Sequence, residues 1–214
     1  MKTSLKVESL GNYTASQLSG FFPDGEPVDH LLGYVENALD RVERCFSKNT
    51  NKYFRREGEV WFDHLHSDQY AMYLYFLANT MCRSGEDRRI CDKIFNLNKA
   101  LHGLNVYYEV ELPDVFFLTH PVGTVLGRAN YSDHLFVYQG CTIGNNHGDY
   151  PKLGEHVTVY TGASILGDCT VGRQCKIAAN SILMDQDLEP NTIYIGSPQN
   201  FVIKENKSTA HVWK

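Results

Sequence analysis

From residue 153 the chain repeats every six residues: LGEHVT, VYTGAS, ILGDCT, VGRQCK, IAANSI, L. The first positions are Leu153, Val159, Ile165, Val171, Ile177 and Leu183, aliphatic every time. The fifth positions are Val157, Ala163, Cys169, Cys175 and Ser181, all small or β-branched. A period of six suits a short strand followed by a corner, so three sixes close one triangular coil of a β-solenoid. Only a long aliphatic side chain fits the inward position of each face, and only a small one fits beside the turn. A β-sandwich would demand alternation of polar and apolar residues, and VGRQCKIAANSIL does not alternate. Backwards, VYQGCT begins at Val137 and the next six at Ile143, so the phase returns if four residues are inserted before Leu153. The loop Asn145-Asn146-His147-Gly148-Asp149-Tyr150-Pro151 is that insertion.

Before residue 112 the apolar spacing is helical. Leu31, Leu32, Val35, Ala38, Leu39, Val42 and Phe46 form one stripe, predicting a helix from about Val28 to Phe46 after the turn signals Asp24, Gly25 and Pro27. A second helix is expected from Asp68 to Cys82, apolar nearly all round and therefore central, with Ser67 or Asp68 as its N-cap. A third, carrying Ile90, Ile94, Leu97 and Leu101, runs to about His102 after the break Ser84-Gly85-Glu86. Lys52 to Asp63 reads equally as a loop or a short hairpin. The expected class is α+β: a mainly helical domain at 1–112, a solenoid at 113–203 and a C-terminal tail at 204–214.

Composition narrows the function. A net charge of −5 offers no electrostatic footprint for nucleic acid or an anionic membrane. The longest apolar run, Tyr70 to Ala78, is about half of the roughly 18 residues a membrane span needs. The first residues lack the apolar stretch of a signal peptide, so a cytoplasmic protein is expected. Six cysteines without a CxxC or a dense framework are expected to stay reduced, Cys169 and Cys175 acting as small core fillers.

At four places the chain resembles the hexapeptide-repeat acyltransferases with a left-handed parallel β-helix, and most of all their serine O-acetyltransferase branch. Thr119-His120-Pro121-Val122-Gly123-Thr124-Val125-Leu126-Gly127 is similar to the family's DHATGIVVG, and Tyr138-Gln139-Gly140-Cys141-Thr142-Ile143-Gly144 to LQSVTLGG. Gly148-Asp149-Tyr150-Pro151-Lys152-Leu153 is similar to GDRHPKI, and Ile195-Gly196-Ser197-Pro198 to the closing AGVPA. The order agrees over residues 110 to 203. The resemblance implies an acyl-CoA-dependent transferase, a homotrimer with active sites between subunits, acetyl-CoA as donor and no metal.

Residue by residue, the resemblance places His120 at the catalytic histidine, the base that an acceptor hydroxyl needs before it can attack a thioester. Its carboxylate partners depart from the pattern. Thr119 stands where the family has an acid next to the histidine, and Glu111 resembles the acid of the preceding coil but lies one hexapeptide closer, with Asp114 as the alternative. In the substrate loop, Asp149 and Tyr150 replace an Arg-His pair whose guanidinium would clamp an amino acid carboxylate. The expectation is therefore a neutral acceptor, a sugar or nucleotide sugar of polysaccharide synthesis, with L-serine as the alternative acceptor and a non-catalytic scaffold as a further one. His147 is a candidate replacement for the lost histidine, and Asp68 or Asp63 is expected to reach the acceptor from the helical domain. Asn145, Thr161 and Ala179 match donor-groove positions, with Ser197 and Lys204 near the nucleotide end. Some helices of this shape hold zinc through histidines, but His120, His134, His147 and His156 lack that spacing. The family's docking of a terminal isoleucine into the next enzyme is not expected from a chain ending His211-Val212-Trp213-Lys214.

Overall fold

The computed structural model describes residues 1–208, 212 and 213. By its contacts the chain divides into two compact units, residues 1–103 with 107–109, and residues 104–106 with 110–213. The last four residues include His211 and Lys214, which lie outside the described residues, and with them the expectation drawn from the chain's end.

The first unit holds four helices and a small sheet. Strand β1 (Lys2–Thr3) pairs in parallel with β3 (Glu59–Phe62), and β3 pairs antiparallel with β2 (Arg55–Arg56). Lys52 to Asp63 is thus a hairpin entered through a 3-10 turn at Lys52–Phe54, and Glu57 and Gly58 both take positive φ at its tip, as a tight two-residue hairpin turn requires. The helix expected from Val28 is a 3-10 segment at Asp29–Tyr34 followed by α2 at Val35–Ser47. Gly33 weakens the first turns, and the tighter winding is common where a helix begins. Helix α3 (Ser67–Arg83) is buried along most of its length, as its composition predicts. Its N-cap is His66, with no side-chain cap, so neither Ser67 nor Asp68 fills that role. Helix α4 (Arg88–His102) starts on the Asp87 carboxylate, which accepts from Arg89 N, and stops at Gly103 in the left-handed region. A further helix, α1 (Val7–Phe21), buries Leu10, Gly11, Thr14, Ala15 and Leu18. Only Leu10 and Leu18 on that face are large and apolar, so the periodicity is weak. At Gly11 a Cβ would sit 2.6 Å from Leu32, so close approach fixes the glycine.

The second unit is a parallel β-solenoid. One sheet stacks β5 (Phe116–Leu118), β7 (Leu135–Val137), β10 (Thr158–Val159), β13 (Lys176–Ile177) and β15 (Thr192–Ser197). The second stacks β4 (Asn105–Val106), β6 (Val125–Leu126), β8 (Thr142–Gly144), β11 (Ser164–Leu166) and β14 (Ile182–Met184). The third face carries β9 (Lys152–Leu153) and β12 (Thr170–Val171), extended by bridges from Asn130 to Lys152 and from Val171 to Leu188. Thr158 pairs with Lys176 and Ser164 with Ile182, a step of three sixes, whereas Phe136 pairs with Thr158 and Thr142 with Ser164 at four residues more. Those four residues are the insertion at Asn145–Pro151.

The repeat is the core. Val159, Ile165, Ile177 and Leu183 are fully buried, as are Val157, Ala163, Cys169 and Cys175. Burying one such aliphatic side chain contributes about 2 kcal/mol. The fifth position also has a polar task, since Cys169 Sγ donates to Leu166 O, Cys175 Sγ to Glu189 O and Cys141 Sγ to Tyr160 O, each at 3.1 Å. A small side chain with a weak donor suits a corner carbonyl better than a methyl group does. All six cysteines are free thiols. Burial raises the pKa of Cys91, Cys141 and Cys169, that of Cys91 to about 12, and so holds these thiols in their unreactive neutral form.

The unit boundaries differ from those expected. Leu104 to Val106 already belongs to the solenoid because β4 pairs with β6, and β16 (Asn200–Glu205) continues the last coil as an antiparallel hairpin through Lys204. No helix among the described residues is long and apolar enough to cross a membrane.

Candidate active site

The vertex between the first and second sheets is built from a backbone column. Gly140 N donates to Val122 O, Gly162 N to Gln139 O and Asn180 N to Thr161 O at 2.9–3.0 Å, so Val122, Gln139, Thr161 and Ala179 occupy equivalent corners. The residue after each, Gly123, Gly140, Gly162 and Asn180, has positive φ, which turns the chain onto the next face. Below this corner the strands are also in register: Thr119 N donates to Val137 O, Tyr138 N to Val159 O and Tyr160 N to Ile177 O. In the upper coils one residue separates Tyr138 or Tyr160 from the turning residue. In the first coil three do, because His120 and Pro121 are extra.

That insertion lifts His120 out of the coil. It has φ of 48°, itself left-handed, and its side chain is exposed. Among the described residues no hydrogen bond or ion pair engages its ring. Thr119 is half-buried and its backbone closes the ladder, so it continues the strand up to the base candidate.

The other candidates divide by corner. Thr161 and Ala179 share the vertex of His120, and Ser197 joins it, since Ala178 N bonds Tyr194 O and so aligns Ser197 with Asn180. Lys204 does not. It pairs with Ile193 at the far end of the hairpin, while Ser197 pairs with Asn200 at its tip, about 13 Å apart along the strand. Asn145 belongs to the next vertex, where Gly167 N bonds Gly144 O and Asp185 N bonds Leu166 O. The second sheet therefore separates Asn145 from Thr161 and Ala179 within one chain. Glu111 is itself exposed, on the largely buried segment between β4 and β5, which spans the third face, whereas His120 stands at the vertex between the other two. Within the chain, the structure thus does not bring Glu111 to His120.

The inserted loop leaves from the Asn145 vertex. Asn146 and Asp149 exchange backbone hydrogen bonds at 3.2 and 3.0 Å, and His147 and Gly148 form the tip with φ of 51° and 102°. Asn146 Nδ2 donates to Asp185 Oδ2 at 2.7 Å, while Asp185 Oδ1 accepts from Asp168 N, so one carboxylate ties the loop to the coil. His147, Asp149 and Tyr150 are all exposed on this short turn. Nothing in the sequence pattern marks Asp185, because only the corner register reveals its partner.

Asp68 lies in the other unit, 5% exposed in the first turn of α3. Its charge opposes the effect of burial on His102, which is nonetheless pushed down to about 4. Asp63 lies beside His64, whose Nδ1 is 2.8 Å from Ser4 Oγ and 3.7 Å from the Asp63 carboxylate. Hydroxyl and acid meet the same ring nitrogen, so no proton relay runs through this trio. Among the described residues no three His, Cys, Asp or Glu side chains gather as metal ligands.

No family model matches the chain. It is 24% identical over 193 residues to a putative serine acetyltransferase of Schizosaccharomyces pombe, covering 80% of this chain and 70% of that protein. It is 26% identical over 153 residues to the serine acetyltransferase of Bacillus pumilus, covering 69% of this chain and 64% of that one. Across the most similar curated relatives the chain spans roughly half to 70% of their length. Among solved structures, the serine acetyltransferase of Neisseria gonorrhoeae superposes with a TM-score of 0.72 at 19% identity, over 96% of this chain and 82% of that one. A serine acetyltransferase in complex with CoA superposes at 0.69 and 17% identity, over 92% of this chain and 83% of that one. The chain thus has serine acetyltransferase relatives and shares the fold of those structures, a helical region followed by a β-solenoid of the hexapeptide-repeat type. The relatives favour the serine alternative over the sugar acceptor, and nothing among them supports polysaccharide synthesis.

Proposed function

We propose that this chain is an acetyl-CoA-dependent serine O-acetyltransferase that works in the cytoplasm as a homotrimer, with His120 as its general base. The observation that carries the reading is the two-residue insertion that lifts His120 from a vertex otherwise built of regular corners, in a chain whose relatives are serine acetyltransferases. Small residues continue that vertex at Thr161 and Ala179, leaving backbone amides accessible to an extended pantetheine arm. Exposed apolar side chains on the terminal hairpin, Ile195, Phe201, Val202 and Ile203, support association with further copies.

In the reaction, the neutral imidazole takes the proton of the acceptor hydroxyl as its oxygen attacks the thioester carbon. Backbone amides of the corner stabilise the oxyanion. The carbon–sulfur bond then breaks, and the imidazolium returns the proton to the leaving thiolate. The products are the acetyl ester and free CoA thiol.

Asp149 and Tyr150 favour a second reading, a neutral hydroxyl acceptor, because a carboxylate in the acceptor loop repels the carboxylate of serine. The test is free-thiol release from acetyl-CoA with L-serine and, in parallel, nucleotide sugars. Release with serine, reduced at least ~100-fold in His120→Ala, is the expected result. Release only with a neutral sugar selects the second reading, and undiminished turnover by His120→Ala refutes the base.

A further inference from the structure

Two unmet hydrogen-bonding needs lie in neighbouring coils at the same vertex. The ring of His120 has no partner among the described residues, although a general base of this kind works best when its second nitrogen is held by an acceptor. Gln139 Oε1 is buried and has no hydrogen-bond partner among the described residues. An unpaired buried amide oxygen costs about 1–3 kcal/mol, so its retention calls for a reason. Val122 is the corner equivalent of Gln139, but the inserted His120 follows Thr119 just as Gln139 follows Tyr138, and Thr119 and Tyr138 share a register position in adjacent coils. The strand pairing Phe116–Leu135, Phe117–Phe136, Leu118–Val137 continues through the bond from Thr119 N to Val137 O, and His120 and Gln139 each follow the last paired position. Adjacent coils are about 4.8 Å apart, within reach of a glutamine side chain.

Within the chain Thr119 fills one of the expected acid positions, and Glu111 and its alternative Asp114 both precede β5, whereas His120 follows it at the opposite end of that strand. The remaining corner residues of the column, Val122, Thr161 and Ala179, are too short or apolar to serve.

We propose that Gln139 is the positioning residue of His120. Its side-chain oxygen accepts a hydrogen bond from Nδ1–H during turnover and fixes the tautomer that presents Nε2 to the acceptor hydroxyl. This inference rests on His120 being the base. A neutral acceptor stabilises the imidazolium less than a carboxylate does, so the acid limb of the kcat/KM profile should move when the charge at this position changes.

The test compares Gln139→Ala, Gln139→Thr and Gln139→Glu with His120→Ala, all in the full chain. Alanine and threonine already occupy the equivalent corner at Ala179 and Thr161, so both variants should fold, as thermal unfolding will check. We expect kcat to fall about 10- to 100-fold in Gln139→Ala and Gln139→Thr with KM little changed, a fraction of the contribution of the base itself. Gln139→Glu should recover kcat to within a few-fold and raise the acid limb by about one pH unit. Unchanged kcat in the first two variants overturns the proposal, as does a Gln139→Glu profile with an unmoved acid limb. If His120→Ala retains full turnover the base assignment itself fails, whereas an inactive His120→Ala beside an unaffected Gln139→Ala refutes only the role of Gln139.

Discussion

Deleting His120 and Pro121 together separates what the coil needs from what the chemistry needs. With both gone, Thr119-Val122-Gly123 takes the form of Tyr138-Gln139-Gly140 and Tyr160-Thr161-Gly162, which close the same vertex one and two coils above. Two hydrogen bonds of the corner, Thr119 N to Val137 O and Gly140 N to Val122 O, involve neither deleted residue, whereas that from Val122 N to His120 O at 2.7 Å is lost. The deletion removes a non-glycine residue from φ of 48°, a conformation that costs about 1 kcal/mol. It also removes Pro121, which is buried and whose carbonyl accepts from Thr124 N at 3.0 Å, a loss worth about 1 kcal/mol. The relieved strain offsets one of the two lost hydrogen bonds, so stability should fall by about 1 kcal/mol, or about 2–4 °C in Tm for a chain of this size. Thiol release should fall at least ~100-fold. Thermal unfolding followed by circular dichroism, beside the thiol assay, reads both. A fall in Tm of more than about 8 °C would show that the dipeptide belongs to the coil and refute the reading of it as an insertion, and retained turnover would refute its chemical role.

Two further outcomes follow from packing and burial. Ile165→Ala, at a fully buried inward position of β11, should cost about 2–5 kcal/mol, measured as a lowered denaturant midpoint at unchanged slope. His102 is held at about 4 by burial, below the 6.5 of the unfolded chain, so the unfolded state binds its proton first. Its effect is absent above pH 6.5 and grows as pH falls towards 4, removing at most about 3 kcal/mol of stability. His102→Gln should flatten that acid limb in denaturation series between pH 7 and pH 4.5, and an equally steep limb in the variant would refute the assignment.

The solenoid was legible because its physics is periodic: every sixth residue must be long and apolar, and a misplaced one would face a corner. Counting also located the four-residue insertion before Leu153, confirmed by the longer step from Phe136 to Thr158. The same counting applied to the first coil finds His120 and Pro121, but only once the corner register shows which residues are equivalent. Helix α1 escaped because between Leu10 and Leu18 its buried face is Gly11, Thr14 and Ala15, too thin an apolar stripe to mark a helix. Glu111 stays a candidate whose segment the sequence already offsets by one hexapeptide, a shift that moves a side chain to another face of the coil. Gln139 carried no signal at all. A glutamine at a corner looks solvated until its oxygen proves buried and unpaired.

The acceptor question turns on one charge. Serine brings a carboxylate, and the loop that reaches outward presents Asp149 on a turn fixed by the Asp185 carboxylate. A serine site therefore has to find its cation elsewhere, and the coil offers two. Lys152 follows the loop directly, exposed on β9 and paired with Asn130. Arg128 is exposed one coil below, next to Gly127, whose N–H bonds Ile143 O at 2.7 Å and so places Arg128 beside the start of the loop. Guanidinium is the better match for a carboxylate, since it binds both oxygens at once. On the serine reading, then, Arg128 of the neighbouring coil is the cation expected to meet the acceptor carboxylate. On the neutral-acceptor reading Arg128 has no carboxylate to hold, so its removal should weaken serine turnover in the first case and leave sugar turnover intact in the second.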